Sequence, residues 1–117
     1  SLFYAQTHGN YICEFSTRSP YKMNKYKRFE ANGDQTHGYS IGFDLNTNGT
    51  YLATGSLNGY AYIYNTQTSK LIDKLEVFNR ELTNQVCMDA KFQLNSHQNK
   101  ELLAVSGYNG QIKVFKI

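Results

Sequence analysis

The chain has 117 residues, 40% hydrophobic and 15% aromatic, with ten Tyr, seven Phe, no Trp, one Pro and nine Gly. That is the composition of one folded, strand-rich domain, and it excludes a disordered or low-complexity chain. The formal net charge of +3 is uneven: residues 18–30 carry +4 and the remainder −1, so electrostatic steering is confined to that one segment.

In chain order, Leu2 to Gln6 reads as a strand, Thr7-His8-Gly9 as a turn and Asn10 to Phe15 as the return strand. A polar loop, Ser16 to Pro20, leads to Tyr21–Glu30. That stretch alternates loosely, with Tyr21, Met23, Lys25, Lys27 and Phe29 on one parity. Its charge suits an outer edge strand, where it discourages pairing with other chains. After a loop, Ala31 to His37, comes a strand from Gly38 to Leu45 with Ile41, Phe43 and Leu45 on one face. Asn46-Thr47-Asn48-Gly49 is a turn by its chemistry.

Tyr51–Ser56 and Tyr60–Asn65 form a hairpin around Asn58-Gly59, two residues that accept the positive φ of a type I′ turn. Lys70 to Glu76 is a fourth, outer strand. The cycle restarts after a loop, Val77 to Gln85. Val86–Leu94 places Val86, Met88, Ala90, Phe92 and Leu94 on one face, and Glu101–Ser106 and Gln111–Ile117 flank Asn109-Gly110.

The hairpin repeats. Leu52–Asn65 has a close copy at Leu103–Lys116 and a weaker one at Leu2–Cys13; Gly9, Gly59 and Gly110 are spaced by 50 and 51 residues. Four antiparallel strands per unit of about 40–45 residues is the pattern of a β-propeller blade. The expected fold is therefore all-β: a partial propeller of about two and a half blades, part of a longer protein. Residues 1–31 supply the last three strands of one blade, 38–76 a complete blade and 86–117 the first three strands of a final one. The structural turn residues are Gly9, Asn58, Gly59, Asn109 and Gly110, and the missing blades of the full-length chain are themselves expected partners.

These repeats resemble the WD-repeat family, although Tyr64-Asn65 and Phe115-Lys116 stand where typical repeats end in Trp-Asp. The resemblance implies that Tyr64 and Phe115 take over the packing role of Trp. Thr54 and Ser56 are kept from the family's buried Asp–His–Ser/Thr–Trp network, but the rest is missing, so no such network is expected. A second set of motifs is similar to the C-terminal blades of a branch related to a pre-mRNA splicing component. These are Ala5-Gln6-Thr7-His8-Gly9-Asn10-Tyr11, Phe15-Ser16-Thr17, Pro20-Tyr21-Lys22-Met23, Arg28-Phe29-Glu30 and Gly38-Tyr39-Ser40-Ile41-Gly42. That resemblance implies a non-catalytic protein-interaction scaffold in a multi-subunit, spliceosome-related complex in the nucleus. It also implies that Ile117 is a natural C-terminus.

No enzyme is expected. His37, Ser40 and Asp44 are the nearest polar constellation, but Ser40 and Asp44 lie four residues apart on a strand, about 13 Å. No Gly-rich phosphate motif leads from a strand into a helix. No metal or other cofactor is expected either: His8, His37, His97, Cys13 and Cys87 have no ligand spacing. The two cysteines, in apolar strands, read as small core residues in a reducing compartment. Asn48-Gly49-Thr50 matches a glycosylation acceptor but reads as hairpin chemistry. The start, Ser1-Leu2-Phe3-Tyr4, has no signal-peptide features and no apolar run reaches membrane-spanning length. A soluble, intracellular protein without a membrane or small-molecule partner is expected.

Two candidate contact regions remain. Arg18, Lys22, Lys25, Tyr26, Lys27 and Arg28 interleave cations with an aromatic ring, which suits RNA or an acidic protein, or else simply a solvated outer strand. Phe78 and Arg80 sit in a loop that either meets a partner or tucks against the neighbouring blade.

Overall fold

The computed structural model describes residues 1–7, 11–30, 41–78, 86–93 and 101–117. These residues contain ten strands and no helix. The strands are β1 (Leu2–Gln6), β2 (Ile12–Ser16), β3 (Met23–Phe29), β4 (Phe43–Leu45), β5 (Tyr51–Thr54), β6 (Tyr60–Asn65), β7 (Leu71–Glu76), β8 (Cys87–Phe92), β9 (Leu102–Gly107) and β10 (Ile112–Lys116). They form three antiparallel sheets, ordered β1-β2-β3, β4-β5-β6-β7 and β10-β9-β8. Each strand pairs with its neighbour in sequence, the local pairing of propeller blades.

The middle sheet shows why the blades stack. Successive side chains on a strand point to opposite faces. On β5 and β6, Leu52, Tyr62 and Tyr64 pack with Ile12 and Phe29 of the first sheet. Their alternates Ala53, Ala61 and Ile63 pack with Cys87, Ala90, Phe92, Leu103 and Val105 of the third. Both faces are buried, so β5 and β6 read as nearly continuous apolar runs rather than as apolar–polar alternation. Tyr64 is 1% exposed and meets Phe29 edge-on at 5.4 Å, while Phe115 packs on the other seam.

The second seam is closed by main chain as well. Gly42 N–H donates to the Met88 carbonyl at 2.7 Å and Cys87 N–H to the Ser56 carbonyl at 2.8 Å. Such an approach leaves no room for a side chain at Gly55, where a Cβ would lie 2.1 Å from the Cys87 carbonyl oxygen.

The hairpin turns correct the type I′ expectation. Among the described residues only Tyr21 and Ser69 are non-glycine residues with positive φ, so Asn58 and Asn109 are not left-handed. Gly49, Gly59 and Gly110 alone take that role, with φ of 74°, 85° and 86°. Each preceding Asn uses its side chain instead. The Oδ1 atoms of Asn48, Asn58 and Asn109 accept the N–H of Thr50, Tyr60 and Gln111 at 3.1, 3.2 and 3.0 Å. Gly49 N–H and Gly110 N–H close onto the carbonyls of Asn46 and Gly107 at 2.9 and 3.0 Å. This is a type I turn followed by a left-handed glycine. Gly9 lies outside the described residues.

Two strict alternations are also corrected. On β8 the register shifts between Cys87 and Asp89, so Cys87 is buried while Met88 is only half-buried. β3 is an outer edge strand as expected, but its loose alternation is broken where the register shifts between Cys13 and Phe15, and Phe29, paired with Ile12, is fully buried. The Gly38–Leu45 strand is seen only as Phe43–Leu45, residues 31–40 being outside the described set. Leu94 likewise falls outside it.

Candidate partner-contact surface

The basic segment is shaped by an irregularity in β3. Cys13 pairs with Arg28 and Phe15 with Met23, so the four residues 24–27 stand opposite the single residue Glu14. A bulge of this kind re-aims side chains. Asn24 and Lys27 turn inward to Glu14: Asn24 Nδ2 donates to Oε1 at 3.2 Å and Lys27 Nζ to Oε2 at 3.4 Å. Lys27 also donates to the Thr66 carbonyl of the second sheet at 3.2 Å. Tyr4 adds its hydroxyl to Glu14 Oε2 at 3.1 Å. Glu14 is only 3% exposed, so these bonds are what let its carboxylate be buried at all. Burial, reinforced by the neighbouring Glu14 charge, pushes the Tyr4 hydroxyl up to about 12.

The sequence-predicted contact residues therefore divide. Lys27 belongs to the seam between the first two sheets, not to a free surface. Arg18, Lys22, Lys25 and Arg28 are exposed. Tyr26 is 84% exposed, with Lys25 Nζ 5.4 Å from its ring centroid. The Arg28 guanidinium lies 4.4 Å over the Tyr11 ring. Phe78 takes the second of its two readings: it is 4% exposed, packs in the core of the second seam and lies against Gly107. Its place on a contact surface is corrected accordingly; the backbone N–H groups of Val77 and Phe78 both reach the Gly59 carbonyl, which turns the loop inward. Arg80 lies outside the described residues.

Most of the catalytic and metal candidates, His37, Ser40, His8 and His97, fall outside the described residues. Asp44 spends Oδ2 on the Phe92 N–H at 2.9 Å. Among the described residues no group of three His, Cys, Asp or Glu is placed to hold a metal ion. Cys13 and Cys87 are buried free thiols, and burial raises both, Cys87 to about 12. An open cavity of about 470 Å³ is lined by Asn46, Asn48, Thr50, Glu101 and Ile117 among others. Its carboxylate, Glu101, is already held by Asn46 Nδ2 at 3.0 and 3.2 Å. No described helix is long and apolar enough to cross a membrane.

A polar network does exist in the middle hairpin, where none was expected. Ser56 Oγ donates to the Tyr60 carbonyl at 2.7 Å and also contacts Asn58 Oδ1, and Asn58 Nδ2 donates to the Tyr62 hydroxyl at 2.6 Å. It ties the turn to the strand through Ser56, kept from the family's Asp–His–Ser/Thr–Trp network, with Asn58 and Tyr62 as its partners. The signal was present in sequence as Ser56, Asn58 and Tyr62 at even spacing. Glu14 was missed as an organising residue. Its signal was a carboxylate sharing the parity of Ile12, a core position.

The chain is similar to WD repeat-containing protein 25 of Mus musculus, 37% identical over 68 residues. The matched stretch is 58% of this chain and 12% of that protein, so the chain corresponds to a small part of its relative's length. No family model matches the chain. The antiparallel sheets agree with that similarity, and Tyr64 and Phe115, which stand in place of Trp, pack in the two cores.

Proposed function

We propose that this chain is part of a WD-repeat propeller that serves as a rigid, non-catalytic scaffold for protein partners, within a pre-mRNA splicing complex in the nucleus. The observation that carries the scaffold reading is the middle sheet, buried on both faces by its neighbours. Stacking of that kind fixes the blades and leaves turns and outer strands to present side chains. The splicing setting rests on the motif resemblance of residues 5–42 to a splicing-related branch of the family.

RNA contact through residues 22–29 is the alternative, favoured by the exposed cations and by Tyr26. Affinity purification of the intact protein before and after ribonuclease treatment separates the two. The scaffold reading expects splicing proteins to remain bound after ribonuclease. Loss of every partner on ribonuclease treatment would overturn it in favour of RNA, and co-purification of no protein would overturn both the scaffold and its setting.

A further inference from the structure

We propose that the β3 bulge is a docking knob for an acidic segment of a protein partner, with Tyr26 as its apolar anchor and Lys22, Lys25 and Arg28 as the groups that receive carboxylates. The inference rests on the scaffold reading and names the face and the chemistry of its partner. The bulge is built from beneath. Its two end residues, Asn24 and Lys27, converge on the buried Glu14, and Lys27 continues to the Thr66 carbonyl of the next sheet. Asn24 Oδ1 accepts the Tyr26 N–H at 3.0 Å, which sets the backbone of the tip. A frayed edge would leave these groups to water. Here they fix the loop of the strand and push the intervening Lys25 and Tyr26 outward.

The result is a ring that is the most exposed of the large apolar side chains described, at 84%. It stands on an anchored backbone beside the Lys25 ammonium. A side chain ordered before binding loses less entropy when a partner covers it. Tyr and Arg are also the residue types that dominate binding energy at protein contacts.

The charges around it are unspent. Among the described residues the ion pairs are Lys27–Glu14 and Lys91–Asp89, so Lys22, Lys25 and Arg28 have no carboxylate partner there. The Arg28 guanidinium lies over the Tyr11 ring, and a guanidinium can bind a carboxylate through its N–H groups while its face is stacked.

Two features favour a protein segment over single-stranded nucleic acid. Successive bases need successive open rings. The Tyr11 ring is covered by Arg28 and the exposed Tyr21 lies outside the bulge, so Tyr26 is the one ring of residues 24–27. The bulge also interrupts the ladder edge at residues 24–27, so a partner engages side chains there rather than adding as a regular strand.

The test is fluorescence anisotropy of the intact protein with two probes: a short labelled peptide of Glu and Asp around a central Leu, and a short labelled oligouridylate. The expected result is salt-sensitive binding of the peptide, retained in Tyr26→Phe and weakened roughly tenfold in Tyr26→Ala. Lys25→Glu combined with Arg28→Glu should abolish it. Lys25 and Tyr26 are exposed, so their variants keep the fold. Equal peptide binding by wild type and Tyr26→Ala would overturn the proposal, as would no peptide binding at all. Tighter binding of the oligouridylate, lost in the same variants, would overturn it in favour of nucleic acid. Failure of the peptide leaves ribonuclease-resistant co-purification untouched, so it is distinguishable from failure of the scaffold reading.

Discussion

The two seams between the three sheets are built by different means. The first joins large rings, Phe29 edge-on to Tyr64 and to Tyr4, around a pinned carboxylate. The second sets the smaller side chains of β5 and β6, Ala53, Ala61 and Ile63, against Ala90, Phe92, Leu103, Val105 and Phe78, and brings the main chains close enough to hydrogen-bond near Gly42 and Gly55. Large rings hold the first pair of sheets apart and leave room for Glu14, Lys27 and Thr66 between them. Small residues on β5 and β6 let the second pair close up, and its charged side chains bond to main chain instead of to one another across the seam: Asp44 accepts the Phe92 N–H and Lys91 donates to the Phe43 carbonyl. The same repeated hairpin serves both, because the two parities of β5 and β6 carry different side-chain sizes.

The largest effect expected from breaking this contrast is at Tyr64. Tyr64→Ala empties the centre of the first seam and should cost about 3–5 kcal/mol in urea denaturation of the intact protein; a loss under about 1 kcal/mol would show that the ring does not carry the seam.

Next comes the second seam. Gly55→Ala forces a Cβ against the Cys87 main chain and should cost about 2–3 kcal/mol. Gly42→Ala makes a useful contrast. Its Cβ meets the side chain of Asp89, which is half-exposed and can swing away, so the cost should be clearly smaller. Equal costs at the two glycines would deny that main-chain contact sets this seam.

A smaller effect is expected from Lys27→Met, which leaves the Glu14 carboxylate buried with only Tyr4 and Asn24. About 1–3 kcal/mol is expected, more than for Glu14→Gln, which keeps the hydrogen-bonding shape but removes the charge. The reverse order would mean that the cation contributes little.

The smallest effect is alkaline. Tyr4 titrates at about 12 in the fold against 10.0 when unperturbed, so its contribution is intact below pH 10 and is lost as pH rises through 12. Cys87, raised from 9.0 to about 12, begins the decline earlier. Tyr4→Phe should flatten the fall in Tm between pH 10 and 12 without removing the earlier loss; an unchanged slope would exclude Tyr4 as its source.

Much of the fold was legible in the sequence because its strongest signals are local. Asn-Gly pairs mark turns whatever the surrounding packing, and the spacing of Gly59 and Gly110 marks the repeat. The turn type was misread because Asn tolerates positive φ without requiring it; here its side chain does the work while glycine takes the left-handed position. The bulges were not legible. Parity arguments assume that each residue on one strand faces one on its partner, and residues 24–27 against Glu14 violate that. The candidate site changed for the same reason: Lys27 looked equivalent to Lys25, yet the bulge turned one inward and the other out. Phe78 was ambiguous because loop position says nothing about direction, and the hydrogen bond from its N–H to the Gly59 carbonyl decides it.

β5 and β6 are buried on both faces by the neighbouring sheets, and amide hydrogen exchange of the intact protein reads that burial residue by residue. The N–H groups of Leu52–Thr54 and Ala61–Tyr64 should exchange slowest among the described residues, while those of residues 24–27 in the β3 bulge exchange early. Protection on β5 and β6 no greater than in the bulge would contradict it.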